Sequence, residues 1–497
     1  EAKTEEEEKR ETEKDDARVV DRDDRHPVLW LADCDSRKVR RLVSPPWRVS
    51  EVAWMPDGER LLVVATDHLH PELLTERIFS VRLRDGGMEE VAAPAPPFRD
   101  VKVSPDGGSF AYVGVRGDGP VGHDLFVQPL DDDDDDDDED GEARNLTGGS
   151  LDRPVRSYAW GREGLLHVLA QTGFGNTLFT ITPEGALKRE EKLDVHPTSF
   201  AVGPGLLAFA GETTTKPSEL WLARSGGKAE RMTHLNEERA ELSPVAPEIL
   251  RYKSFDGTEI EAGLLKPPGS GPFPTVVLVH GGPSGRWGDF FDPLGQLLVS
   301  GGLAVLYPNV RGSTGYGERF LEMNRHDWGG GDFKDVMAGV DFLIERGVAH
   351  RERLGIGGWS YGGYMAAWAV TQTDRFRAAV SGAPMTDLAS EYGTEMSSIN
   401  AYDTWFLGTP YENLSLFIER SPVTHVKNAR TPTLILCGEK DTTDPLGQCQ
   451  QFYRGLKRYR VETELVVYPR EGHGIREEKH RIDRLQRFVG WFEKYLK

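Results

Sequence analysis

Cysteine is nearly missing from this chain. Its 497 residues include three, Cys34, Cys437 and Cys449. An odd, widely spaced set excludes a disulfide framework and a cysteine-built zinc site. A reducing compartment is the simplest setting for it. Long apolar runs are lacking too: none reaches the roughly 20 residues that span a bilayer. The opening stretch, EAKTEEEEKRETEKDDARVV, has no basic segment followed by an apolar one, the pattern of an export signal. The chain is therefore expected to be cytoplasmic, with no membrane partner, although it does not begin with Met. Positive charge is scarce as well. Lys and Arg number 60 against 81 Asp and Glu, a net charge of −21. Ten of those acids form one run, 131–140, and subtracting them leaves −11. No basic face remains for a nucleic acid. A run of like charge repels itself and stays solvated, so a disordered loop is expected there.

Turn formers are plentiful, with 55 Gly and 31 Pro. That composition speaks against a helical bundle, and the length suggests two or three domains. The first half repeats. VSEVAWMPDGERLLVVA from Val49, FRDVKVSPDGGSFAYVG from Phe98, VRSYAWGREGLLHVLA from Val155 and PTSFAVGPGLLAFAG from Pro197 each read as strand, tight turn, strand. A third strand follows each one: RIFSVRL, HDLFVQPL, NTLFTITP and SELWLARS. Three to four strands at this period are the pattern of β-propeller blades. Trp54 and Trp160 fall at equivalent positions, where packing between blades is expected. PVLWLADCDSRKVRRLV, from Pro27, reads as the second half of a preceding blade. The expectation for 1–245 is a propeller of about four to five blades. An incomplete ring leaves open edges, so either N-terminal blades are missing or a partner, such as a second copy of the chain, covers them.

The pattern changes near Pro247. RYKSFDGTEIEAGLLKP gives two β segments around a turn. The apolar runs TVVLVH, LAVLYPNV, RLGIGGWS, AAVSGAP, TPTLILCG and TELVVYP then alternate with helical stretches. Continuous Val/Ile/Leu strands separated by helices predict a mostly parallel, doubly wound sheet over 246–497, an α/β-hydrolase fold. Phe333, Val336, Met337, Val340, Leu343 and Ile344 share one helical face. Asp332 is expected to cap that helix, with Asp335 in a capping-box position.

Gly358-Trp359-Ser360-Tyr361-Gly362 lies between the strand at 354–357 and the helical run YMAAWAV. In a sharp strand-to-helix turn this motif raises a serine hydroxyl above the sheet. A serine needs a base to act as a nucleophile, and the fold places an acid and then a histidine downstream, after later strands. Asp441 follows TPTLILCG and His473 follows TELVVYP. The catalytic residues expected are therefore Ser360, Asp441 and His473. Asp444 and Asp387 are rival acids, and His425 and His480 rival bases. An oxyanion hole needs two donors. The Tyr361 N–H is one, and Gly282, in the His280-Gly281-Gly282-Pro283 turn after TVVLVH, is assigned the other. The Tyr361 ring is a candidate to face substrate. Arg311 and its glycine-rich loop read as structural.

His280-Gly281-Gly282-Pro283, Asn309 to Gly317, Trp328 to Asp335, Gly358 to Met365, GEKDTTDP around Asp441 and GHG around His473 together resemble the prolyl oligopeptidase family, nearest its acylaminoacyl-peptidase-like branch. The resemblance covers 246–497, and more weakly the repeats before it. It implies a serine peptidase acting on short peptides through an acyl-enzyme, with no metal or organic cofactor, and a propeller that restricts access. Two features depart from the family. Its propellers commonly have seven or eight blades, and Asp444 stands where members commonly carry Val. Acylaminoacyl, dipeptidyl and endo-type cleavage are left open. An esterase using the same triad, and an inactive binding propeller on a relic hydrolase, are the alternatives.

Overall fold

The structure, a computed structural model, describes residues 4–19, 26–44, 46–68, 74–130, 142–189, 193–224, 228–236 and 243–497. The acidic run 131–140 lies outside them.

Four antiparallel four-stranded sheets follow one another along the first half. Their first strands are Arg48–Trp54, Arg99–Val103, Val155–Trp160 and His196–Gly203. A two-stranded sheet, Trp30–Ala32 with Val39–Arg41, precedes them. These are propeller blades, and their cores lie between neighbours. Met55, Leu62, Val64 and Ile78 of the first meet Val101, Phe110 and Tyr112 of the second. Ala111, Val113 and Leu125 of the second meet Tyr158, Leu166 and Val168 of the third. Alternation along each strand gives both sheet faces a partner.

One of the two tryptophans departs from expectation. Trp160 does bridge blades, and its indole N–H donates to Lys102 O on the preceding inner strand at 3.1 Å. Trp54 is 59% exposed. The unit before it, among the described residues, has two strands and no inner strand for the ring to cover.

From residue 248 on, one eight-stranded sheet organises the chain. Its strands are β1 (Glu248–Lys253), β2 (Glu259–Leu265), β3 (Phe273–Val279), β4 (Ala304–Pro308), β5 (Ala349–Trp359), β6 (Ala378–Gly382), β7 (Thr433–Gly438) and β8 (Thr463–Tyr468). Their order is β1-β2-β4-β3-β5-β6-β7-β8, antiparallel up to the β2–β4 pair and parallel beyond it. Every side chain of β4, β6 and β7 is buried, because helices cover both faces. Val277, Ile356, Ala379 and Ile435 face one helical layer, which includes Val336, Val340, Met365 and Phe452. Val276, Leu278, Val380, Leu434 and Leu436 face the other, with Leu298, Phe488, Trp491 and Phe492. This two-sided burial explains why these strands read as unbroken apolar runs. No helix among the described residues is long and apolar enough to cross a membrane.

The helix Gly331–Glu345 forms as the periodicity predicts, but its cap differs. The N-cap is Gly330, without a side-chain bond. Asp332 and Asp335 point into the core instead. Asp335 pairs with the Arg311 guanidinium at 2.8 Å and accepts from Ser254 Oγ at 2.5 Å. Arg311 also reaches Asp256 at 3.0 Å, so its loop is braced at the base of the domain. A buried guanidinium recruits the Asp335 carboxylate more strongly than a helix terminus would, while Asp332 accepts from the Tyr361 hydroxyl and from the N–H groups of Gly329 and Phe333.

The two domains meet along a hairpin tip of the third blade. Phe174 sits in the core of the C-terminal domain, with its N–H on Glu261 Oε1 at 3.0 Å. Gly173 N–H donates to Gly315 O at 2.9 Å, and Arg286 donates to Gly173 O at 2.7 Å. Arg116 joins Asp124 and Asp152 of the propeller to Glu318 across the boundary.

Candidate active site

Strand β5 ends at Trp359 and the helix Tyr361–Gln372 starts two residues later. Ser360 makes the turn alone, at φ 59° and ψ −123°. That conformation costs a non-glycine residue on the order of 1–3 kcal/mol and persists only where its surroundings enforce it. Here they do. Ser360 N–H donates to Gly382 O at 2.9 Å, and Ser360 O accepts from Tyr364 N–H at 2.9 Å. The flanking glycines permit the close approach. A Cβ on Gly362 would lie 2.0 Å from Val279 O, and one on Gly358 would lie 2.4 Å from the same atom. The serine thus stands at the head of a helix, above the carboxyl ends of β3 and β5.

Asp441 and His473 arrive on the loops after β7 and β8. The loops touch: Lys440 N–H donates to Glu471 O at 2.7 Å. Asp441 is buried. Its Oδ1 accepts from the N–H groups of Thr443 and Asp444, each at 3.0 Å, and its Oδ2 lies 3.0 Å from His473 Nδ1. The histidine loop is pinned from below by Trp359, whose indole N–H donates to His473 O at 2.8 Å. Glu471 ties the following turn, accepting from Arg476 N–H and Glu477 N–H. Burial pulls the His473 pKa down, while the Asp441 hydrogen bond and the charges of Asp444 and Asp441 pull it up. The net shift is upward.

The rivals separate cleanly in space. His425 bonds Glu419 O and His480 bonds Glu471. Asp387 stands at the start of the helix Leu388–Tyr392, its N–H on Gln448 Oε1. Asp444 is different. Its carboxyl is buried, 3.8 Å from His473 Nδ1, and in reach of the Ser360 hydroxyl. Burial and the charges of Asp441 and Glu395 outweigh His473 and Ser360, and its pKa is pushed up to about 8. Among the described residues no hydrogen bond within 3.5 Å joins Ser360 Oγ to His473. Such bonds often tighten only once substrate is bound.

The turn after β3 lies opposite. A Cβ on Gly281 would be 3.5 Å from Ser360 Cβ, so backbone alone fits there. Among the described residues the N–H groups of Gly282 and Tyr361 find no acceptor. His280 holds this turn through Ser313 Oγ at 2.8 Å and Gly281 O at 2.8 Å. Burial lowers its pKa to about 4, so it is neutral at neutral pH.

The Tyr361 ring does not face substrate. It is fully buried, its hydroxyl donates to Asp332, and it accepts from Asn324 Nδ2. Position N1 of a helix behind a tight elbow directs the side chain inward. Buried, Asp332 is pushed up to about 7. Sequence reasoning also passed over Glu391, Glu395 and Asp403, which gather beside Asp444. Two acids on neighbouring helices and one between them carry no motif.

Residues 291–497 match the prolyl oligopeptidase family. Over 365 residues the chain is 33% identical to the uncharacterized peptidase YuxL of Bacillus subtilis, covering 71% of this chain and 55% of that one. It is 30% identical over 256 residues to acylamino-acid-releasing enzyme 1 of Oryza sativa subsp. japonica, covering 49% and 33%. A Pyrococcus horikoshii acylaminoacyl peptidase structure superposes with a TM-score of 0.73 at 25% identity, over 94% of this chain and 85% of that one. The chain thus spans about half the length of the first of these curated relatives and a third of the second.

Proposed function

Through its C-terminal domain the chain belongs to the prolyl oligopeptidase family, and from that premise we propose that it is a serine peptidase hydrolysing short peptides, of the acylaminoacyl-releasing or oligopeptidase type. The observation that carries this reading is the Ser360 backbone, held at positive φ between strand and helix, with the His473–Asp441 pair on the neighbouring loops. A strained serine elbow has no structural purpose that glycine would not serve better.

In the proposed reaction His473 takes the Ser360 proton as Oγ bonds to the peptide carbonyl carbon. Asp441 fixes the imidazole with Nδ1 protonated and stabilises the imidazolium. The oxygen that gains negative charge is held by the N–H groups of Gly282 and Tyr361, at the positive end of the helix. His473 then gives its proton to the departing amine as the C–N bond breaks. Water, deprotonated by the same histidine, releases the acid and restores Ser360. Relatives named as acylamino-acid-releasing enzymes favour an N-acylated peptide as substrate.

Turnover of N-acetyl peptides, of dipeptidyl amides with a free N-terminus and of short acyl esters tests the reading. N-acetyl peptides are expected to give the highest kcat/KM. Rapid ester cleavage with no hydrolysis of any peptide amide would replace the peptidase with an esterase.

A further inference from the structure

The helix Ser397–Leu407 has no part in the mechanism above, yet it is bonded to both loops that flank Ser360. Met396, at its head, donates its N–H to Thr442 O at 2.7 Å, on the loop that carries Asp441. Further along, Tyr402 reaches the turn after β3. Its hydroxyl accepts from Ser284 N–H at 3.1 Å and lies 2.8 Å from Ser284 Oγ. One rigid element thus supports the acid on one side of the nucleophile and the oxyanion turn on the other.

Inside that turn the Ser284 amide stands against the donor. Gly282 has φ 127°, and a Cβ on it would lie 2.4 Å from Ser284 N and 2.3 Å from Gly285 N. The chain folds back so tightly that Gly282 cannot tilt unless Ser284 moves with it. His280 secures the near end of the turn through Gly281 O and Ser313 Oγ. At the far end, among the described residues, the Tyr402 oxygen is the one acceptor of Ser284 N–H. An amide left unpaired would turn toward another acceptor. The phenol is itself well held. Its ring packs on Phe406 at 5.0 Å, Phe406 packs on Trp328 at 5.7 Å, and Trp328 meets the ring of Tyr361 at 5.2 Å. The residues that supply and support both oxyanion donors therefore share one aromatic cluster. Burial raises the pKa of Tyr402, so its hydroxyl keeps its proton at working pH.

We propose that Tyr402 is a positioning residue for the oxyanion hole: its hydroxyl fixes the Ser284 amide and so aims the Gly282 N–H at the oxygen that gains charge. The proposal rests on the peptidase reading. Tyr402 touches no reacting atom in this scheme and acts through Ser284 and Gly282. The oxygen needs its donor most when it is charged, so the effect belongs to the transition state and not to substrate binding. A catalytic group displaced by about 1 Å loses on the order of 100-fold in rate, and one hydrogen bond at the end of a tight turn controls movements of that size.

The test compares Tyr402→Phe with Tyr392→Phe in the full chain. The second variant removes a hydroxyl that lies 2.9 Å from Thr404 Oγ1 of the same helix. Each is assayed with an N-acetyl peptide amide and with two inhibitors of matching sequence. The aldehyde accepts the Ser360 Oγ at its carbonyl carbon and places a charged oxygen in the hole; the alcohol has no carbonyl there. In Tyr402→Phe kcat is expected to fall about 10- to 100-fold while KM stays within about twofold. The aldehyde inhibition constant should rise by the factor that kcat/KM loses, and that of the alcohol should not move. In Tyr392→Phe all four quantities should stay within about twofold. An undiminished kcat in Tyr402→Phe overturns the proposal. So do equal losses in the two variants, or alcohol binding lost along with aldehyde binding, since either would make the helix a structural support alone. Wild-type protein that hydrolyses no peptide amide sinks the peptidase reading and the proposal with it.

Discussion

At the scale of the residue, Asp444 is the side chain that distinguishes this site. It stands 3.8 Å from His473 Nδ1, behind the 3.0 Å partner Asp441. Burial pushes the Asp444 pKa up to about 8, the Asp441 hydrogen bond and the neighbouring carboxylates raise that of His473, and the two groups titrate as a coupled pair. His473 acts as base only when neutral, so kcat/KM should rise with pH along a limb lying above the ordinary histidine value of about 6.5. In Asp444→Asn the imidazolium loses an acidic neighbour. The limb should then move to lower pH, read from kcat/KM profiles between pH 5 and 9. An unmoved limb would mean that Asp444 is neutral throughout that range. The presence of an acid here was visible in the sequence, in GEKDTTDP. Its distance from the base was not, because two residues of one loop can face together or apart. Trp54, Asp332 and the Tyr361 ring were misjudged for a related reason. Each has a normal local role, and its surroundings decide against it: among the described residues no inner strand stands beside Trp54, and Asp332 and the Tyr361 hydroxyl are bonded to each other in the core.

At the scale of the element, the elbow joins sequence to chemistry most tightly. Gly362 cannot carry a Cβ without striking Val279 O at 2.0 Å, a backbone atom that does not yield. Gly362→Ala should destabilise the domain by about 1–3 kcal/mol or more and remove activity in whatever folds. Gly447→Ala is the control. It lies in the helix Leu446–Arg458 with nothing within 4 Å of the added carbon, so it should leave stability unchanged or raise it by up to about 1 kcal/mol. Urea midpoints separate the two; equal midpoints would refute the packing argument. Elements of this sort were legible. Buried parallel strands advertise themselves by unbroken apolar runs, and the blades by paired strands around tight turns, Pro-Asp-Gly in the first two. The strand around Leu354 was read short, since Ala349–Trp359 begins in the polar stretch His350–Arg353, where composition gives no strand signal. The N-terminal helix Glu5–Glu13, with its Thr4/Glu7 capping box, buries nothing and so shows no apolar periodicity.

At the scale of the whole molecule, Phe174 of the propeller packs into the core of the hydrolase domain, and polar contacts such as Arg116–Glu318, Arg325–Asp118 and Thr214–Asp289 join the two domains elsewhere along the boundary. Phe174 leaves its own blade to pack with Leu265, Val276 and Leu278. A Cβ on Gly263 would meet its ring at 2.6 Å. Phe174→Ala should cost roughly 3–5 kcal/mol of docking energy and split one calorimetric unfolding transition into two. An unaltered melt would show that the polar contacts suffice. None of this could be read from the hairpin, where Gly173-Phe174-Gly175 looks like an ordinary turn. The central claim, that Ser360 is a nucleophile activated by His473, is tested most directly by intact-mass and peptide mapping after reaction with a fluorophosphonate. One adduct on Ser360 is expected, with labelling slowed by roughly 1,000-fold or more in His473→Ala. An adduct on any other residue, or labelling undiminished without His473, would contradict the account.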